Sequence, residues 1–277
     1  MRPKASKLFM FIGYMAMSFF VIWTVVPLVW LGYSSFKPHM EIVESIFAFP
    51  TSFYLGNFET AFRDGGLGWF TFNSFLLSVS TTIIVIILAT LSGFAFAKIK
   101  NRFTPFLYGF IMLGLLITIQ SSLIPIFLTE VKLGLNDTYL GLLIPYVAFS
   151  LPFAVYLARS YIQNLQNETF EAAILDGANL WQIYLNIVLP MSRPIIATIG
   201  IFTFLGIWNE FSLALALTSD DTVRTLPVGI NSLLGGLQTD YGLQMATLLY
   251  GMLPLIVFYI IFRKELLKGF GSGSVKG

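Results

Sequence analysis

Glu171-Ala172-Ala173 is followed after three residues by Gly177, and after nine more by Ile187-Val188-Leu189-Pro190. The stretch is polar and helix-forming, and most of the surrounding chain is apolar. It carries a carboxylate beside two small side chains, so its chemistry is non-covalent contact rather than bond making. A water-facing helix between two apolar runs is a place where a soluble partner can push. Other chemistry is sparse. There is no cysteine, which excludes disulfides, thiol catalysis and thiolate metal sites. The single histidine, His39, leaves no zinc cluster. Glu210 is the one ionisable residue deep in an apolar run. A charge there costs about 3 kcal/mol or more against lipid, so it should face protein or a watery path. It reads either as a pore or gate residue together with Asn209, or as a structural hydrogen bond to Asn209 or a neighbouring helix.

The elements that position these residues are membrane spans. The chain has 277 residues, 56% hydrophobic and 11% charged, with a mean hydropathy of +0.80. Soluble domains carry about 25% charged residues, so there is too little polar surface here for a water-soluble globule. The net charge of +2 gives no nucleic-acid footprint. Charge-free runs predict spans over 8–36, 65–97, 103–129, 138–158 and 241–262, and a sixth over 194–217 interrupted only by Glu210. Each can cross a bilayer as a helix of about 20 residues. Residues 177–192 are also charge-free but hold Asn179, Gln182 and Asn186, and read as interfacial. The first run is too long for a secretory signal and has no clear small-x-small cleavage site, so it reads as a retained span.

An all-α membrane protein with six transmembrane helices has both termini on one side. Twelve Lys and Arg residues fall on that side and four on the other: Lys37, Arg63, Lys132 and Arg224. The bias predicts cytoplasmic termini. The segment around Glu171 is then cytoplasmic, and loops 37–64, 130–137 and 218–240 are external.

Residues 167–182 are expected to form one cytoplasmic helix. Asn167 is the expected N-cap, with Glu168 and Glu171 in the first turns opposing the helix dipole. Phe170, Ile174, Gly177 and Trp181 would make one apolar stripe. Gly177 permits a bend or the close approach of another backbone. Pro190 limits continuation of the helix. A helix lying on anionic lipid would carry basic residues. This one has none between Glu168 and Gln182 and three acids, which favours a protein partner.

Glu171, Ala172, Ala173, Gly177, Ile187, Leu189 and Pro190 together match the cytoplasmic loop motif of binding-protein-dependent ABC importer permeases, and the chain resembles that family. Asp176 and Ala178 extend the match in the form common among sugar permeases. Asn73-Ser74, the run from Gly93 to Lys98, the run from Trp208 to Phe211 and the run from Thr225 to Gly229 resemble the sugar-uptake branch, and the tail 271–277 is similar to the second permease of maltose-type systems. One departure is the absence of a Pro shortly before the motif, where Leu165-Gln166-Asn167 stands.

The resemblance implies a type I ABC importer permease fold in the bacterial or archaeal cytoplasmic membrane. It implies a first span over 1–36, a permease core over 69–263 with a coupling helix at 167–182, and a cytoplasmic tail over 264–277. It implies a non-catalytic permease subunit forming half of a carbohydrate pore. Its partners would be membrane lipid, a second and different permease, two ATPase subunits and an extracytoplasmic sugar-binding protein. Glu171, Ala172, Ala173, Asp176 and Gly177 would couple to the ATPase, with Ile187, Leu189 and Pro190 shaping the loop. Residues 233–238, among them Leu233, Gly235 and Gly236, would contact the binding protein, or else form an ordinary turn. The chain has no G-x-x-x-x-G-K-[ST] sequence, so no cofactor is expected in it, and ATP and Mg would act on the partner ATPases. The alternatives are a permease of the same fold for a phosphorylated polyol or another small solute, and a stand-alone secondary transporter. An integral-membrane enzyme would need clustered His, Asp or Glu, which are lacking.

Overall fold

The computed structural model describes residues 4–99, 101–234 and 240–271. These are helical, with no strand among them. Four helices are long and apolar enough to cross a membrane unbroken: α1 (Lys4–Ser34), α2 (Leu67–Lys98), α5 (Tyr139–Gln163) and α11 (Tyr241–Gly271). Between α2 and α5 lie α3 (Thr104–Leu113) and α4 (Ile119–Leu133). Between α5 and α11 come α6 (Asn167–Leu175), α7 (Leu180–Ile183), α8 (Arg193–Trp208), α9 (Ser212–Leu217) and α10 (Leu226–Leu234). With two bent pairs counted as one span each, the total reaches six.

The bends correct two expected spans. The run 103–129 is not one straight helix: Thr104–Leu116 meets Ile119–Leu133 at 99°. Thr118 is extended at the corner, and its hydroxyl accepts the Ser121 N–H, which starts a new helix. The run 194–217 is split at Asn209–Phe211 into α8 and α9. Sixteen residues of α8 rise only about 24 Å, less than a bilayer core of about 30 Å. Upstream, the helical stretch Leu180–Met191 meets α8 at 75°.

The chain divides into two compact units. The first gathers Met1–Leu67 and Ile230–Pro254. Within it the Trp30 indole donates to the Ile46 carbonyl (3.0 Å), and the Tyr33 hydroxyl to the Phe47 carbonyl (3.0 Å). These bonds fold the segment after α1 back along its end. Lys37 is fully buried there and is satisfied by the Ser45 carbonyl at 2.9 Å. The apolar window of α1 buries none of its residues inside the chain, so a nonpolar surrounding must cover it.

The second unit, Gly68–Gly229 with Leu255–Gly277, holds the packed core. One cluster joins Val85, Ala89 and Phe94 of α2 to Ala154, Val155, Ala158 and Ile162 of α5 and to Ile199 of α8. Lipid tails are as apolar as these side chains, so close contact rather than exclusion of water holds such helices together. Gly93 permits that contact: a Cβ there would stand 2.8 Å from the Ala158 Cβ. A second cluster joins Leu77, Leu142 and Tyr146 to Leu213, Ala214 and Leu217 of α9.

Candidate functional site

The stretch 167–182 folds as two helices and a turn, not as one helix. The first, α6, begins differently from expectation. Gln166 occupies the N-cap without a side-chain cap, and Asn167 is the first helical residue. The Asn167 side chain is engaged elsewhere, accepting from the Lys98 ammonium at 2.8 Å. The end of α6 is set by Gly177, whose φ is +83°. Its N–H donates to the Ile174 carbonyl (3.0 Å), and the Ala178 N–H donates to the Ala173 carbonyl (3.0 Å). This pair of bonds with a left-handed glycine is the Schellman stop. Nothing lies within 4 Å of where a Gly177 Cβ would be. The glycine therefore serves a backbone conformation, not a close approach.

A new helix starts two residues later. The Asn179 side chain accepts the Gln182 N–H, and the Gln182 side chain accepts the Asn179 N–H, both at 2.9 Å. This reciprocal box fixes the angle at which α7 leaves the turn. The chain then widens into a π turn over Tyr184–Val188 and runs through Leu189–Met191. Ile187 and Leu189 pack on the core, while Pro190 is exposed at the start of that last turn. The Tyr184 hydroxyl, inside the chain, lies 2.9 Å from the Thr90 hydroxyl of α2.

The expected stripe is also redrawn. Phe170 and Ala173 are buried in the α2–α5 cluster. Ile174 and Trp181 face outward, and Leu175 is 88% exposed. Around these lie Glu171, Ala172, Asp176, Gly177 and Leu180, all exposed. The site is thus an acidic knob with apolar tips, carried on a helix whose other face belongs to the core. It can bind a groove that offers basic and apolar groups, and it can pass displacement into α2 and α5.

Glu210 sits at the break between α8 and α9. Its carboxylate accepts the Leu213 N–H (2.8 Å), the Ala214 N–H (3.1 Å) and the Tyr146 hydroxyl (3.0 Å). It therefore satisfies the first amides of α9 and ties them to α5. Asn209 is exposed, and its side chain donates to the Leu205 carbonyl rather than to Glu210. Leu233 is half-buried, while Gly235 and Gly236 lie outside the described residues.

Four residues make contacts that sequence alone does not indicate: Asn73, Ser74, Lys98 and Thr90. Buried Asn73 donates to the Thr222 (3.0 Å) and Arg224 (2.9 Å) carbonyls and accepts the Tyr139 hydroxyl (2.7 Å). Ser74 beside it accepts the Leu226 N–H at 2.7 Å. Together they moor the loop before α10. Lys98 moors the start of α6, and Thr90 holds Tyr184. Asn73-Ser74 and the lysine closing α2 stood out in the sequence only as parts of a pattern.

The model of the binding-protein-dependent transport system inner membrane component matches residues 86–264. The chain belongs to this family. It is a permease subunit, a non-catalytic component of an ABC transporter and a multi-pass inner-membrane protein. It is similar to the probable ABC transporter permease protein YurM of Bacillus subtilis, with 34% identity over 91% of this chain and 83% of that one. It is also similar to the multiple sugar-binding transport system permease protein MsmG of Streptococcus mutans (31% identity, 99% of both chains). A third relative is the diacetylchitobiose uptake system permease protein NgcG of Streptomyces coelicolor (30%, 92% of this chain and 86% of that one). The permease shares its fold with a chain of a bacterial ABC transporter involved in importing the acidic polysaccharide alginate. The TM-score is 0.79 at 19% identity, over 95% of this chain and 98% of that one.

Proposed function

We propose that this permease forms half of the translocation pore of an ATP-driven carbohydrate importer, and that α6 with its Gly177 turn is the element a cytoplasmic ATPase moves. The single observation carrying the coupling role is the two-sidedness of α6. Phe170 and Ala173 are embedded in the core of α2 and α5, while Leu175 stands 88% exposed beside Glu171 and Asp176. Ile174, Leu175, Leu180 and Trp181 are exposed together beside acids, which fits an apolar surface covered by a partner. The carbohydrate reading rests on the relatives named for diacetylchitobiose and multiple sugars, and on the alginate transporter that shares the fold.

The assembly in this reading pairs the chain with a second, different permease. Two ATPase subunits bind ATP and Mg below, and an extracytoplasmic sugar-binding protein delivers from above. The termini, the tail 264–277 and the 167–182 loop are cytoplasmic, and the core runs over 69–263 after a first span within 1–36. Residues 233–238 would contact the binding protein in this assembly. Closure of the ATPases on ATP shifts α6. Coupling requires two states with different contacts. Here the α6 contacts to α2 and α5 are what a shift would carry into the spans. Glu210 and Asn209 lie at the α8–α9 break, where we read Glu210 as the hydrogen-bonded corner of the pathway wall.

The test is reconstitution of the chain with its neighbouring permease, ATPase and binding protein. ATP hydrolysis should rise with sugar-loaded binding protein and be lost with Glu171→Lys while the complex still assembles. Stimulation by a binding protein loaded with a phosphorylated polyol instead would move the substrate class and keep the coupling role. Wild-type behaviour of Glu171→Lys would remove the coupling role.

A further inference from the structure

A side chain that joins the start of α6 to the membrane helices is Lys98, the last residue of α2. Its ammonium donates to the Leu165 carbonyl at 2.9 Å and to the Asn167 side-chain oxygen at 2.8 Å. It also lies 4.3 Å from the centre of the Phe170 ring. Glu168, in the first turn of α6, adds an opposite charge to its surroundings. One cation thus holds three features at once. Leu165 lies in the connection between α5 and α6, Asn167 opens α6, and Phe170 is its buried anchor.

Each contact suits a lysine. Carbonyls just past the end of α5 lie at the negative end of its dipole, where a cation is favoured. An ammonium over an aromatic face is attracted by the ring quadrupole, more so when partly removed from water. The N-terminus of α6 lacks a side-chain cap of its own. Its position is instead fixed by a residue 69 positions earlier in the chain. Packing of Phe170 and Ala173 alone would permit α6 to tilt or slide, because apolar contact is non-directional. Directed hydrogen bonds from the end of α2 remove that freedom.

We propose that Lys98 is a positioning residue for coupling: it pins the start of α6 to the end of α2, so that a push on α6 moves α2 and α5 instead of being lost in the loop. This rests on the coupling role proposed for α6. Lys98 itself meets no partner in the proposal and touches no substrate.

The readout is sugar imported per ATP hydrolysed by the reconstituted complex. Lys98→Met keeps the apolar stem and removes the donors and charge. It should leave ATP hydrolysis measurable and lower the transport-to-hydrolysis ratio about fivefold to tenfold, within the range of ordinary coupling factors. Lys98→Arg should restore at least half of the ratio, since it keeps donors and charge. A merely structural role would lower assembly, hydrolysis and transport together and leave the ratio unchanged, which would overturn the proposal. Glu171→Lys is measured in parallel. If it is silent, the coupling role of α6 has failed; if it abolishes stimulation while Lys98→Met keeps the wild-type ratio, only the tether has failed.

A second variant covers loss of assembly in Lys98→Met. The chain has no cysteine, so Lys98→Cys with Asn167→Cys introduces its only thiol pair. Joined by a short bifunctional thiosulfonate, the pair should regain the ratio and lose it again on reduction. A joined pair with a ratio as low as the unjoined one would overturn the proposal.

Discussion

Gly177→Ala isolates one physical cause at the turn after α6. The glycine has φ +83°, and the space around its missing Cβ is open to 4 Å. An alanine therefore meets no neighbour and suffers only from the left-handed backbone, a cost of about 1–2 kcal/mol. Alanine also restricts the opened chain, which returns roughly 0.4–1 kcal/mol. A net of about 1 kcal/mol remains, or about fivefold in the local opening equilibrium. The amides that report it are Gly177, bonded to Ile174, and Ala178, bonded to Ala173. Hydrogen exchange at these two positions should quicken about fivefold in Gly177→Ala. Asparagine tolerates the left-handed region, so Gly177→Asn should stay within about twofold of wild type although its side chain is larger. Exchange in Gly177→Asn faster than in Gly177→Ala would mean that bulk, not φ, decides, and would refute the reasoning. Unchanged exchange in both would remove the Schellman stop as the element that holds the turn.

Two further outcomes follow from packing and hydrogen bonding. Gly93→Ala would bring a methyl to 2.8 Å from the Ala158 Cβ and 2.9 Å from the Arg159 backbone nitrogen, so it should lower the melting temperature of the purified complex by an amount equivalent to about 1–3 kcal/mol, and Ala158→Gly in the same chain should recover only part of it, because the backbone contact remains. Glu210→Gln keeps one acceptor but loses the charged carboxylate that takes three donors; it should cost about 1–2 kcal/mol in thermal unfolding and leave the choice of sugar unaltered, as uptake competition would show.

The spans were legible because a bilayer leaves the backbone few solutions. Long charge-free runs such as those holding α1, α2, α5 and α11 must be helical. The corners were harder. Thr118 and Glu210 start new helices through side-chain acceptors, but each sits in an apolar run whose hydropathy barely changes. The signals were local: Thr118 three residues before Ser121, and Glu210 three and four before the amides it accepts.

The same holds for the site. The motif located the acidic knob, yet a single helix over 167–182 ignored two punctuation marks. Gly177 after Leu175-Asp176 is a stop, and Asn179 followed three residues later by Gln182 is a start. Once the chain turns there, residues beyond Gly177 no longer share a face with Phe170. That is why Trp181 emerges outward; Ile174, within α6 itself, is exposed because Phe170 and Ala173 are the residues of that helix turned to the core. Lys98 and Asn73 bond to carbonyls 67 and about 150 positions away, and no local periodicity carries that information.

The most direct test of the central claim places a photo-cross-linking amino acid at position 175 and, as a control, at the exposed Phe11 of the apolar helix α1. In the reconstituted complex, position 175 should cross-link to the ATPase subunit, with a yield that changes when ATP closes the ATPase pair, while position 11 should label lipid or another membrane chain. Cross-linking of position 175 to lipid alone, in every nucleotide state, would contradict the claim that α6 and its turn receive the ATPase stroke.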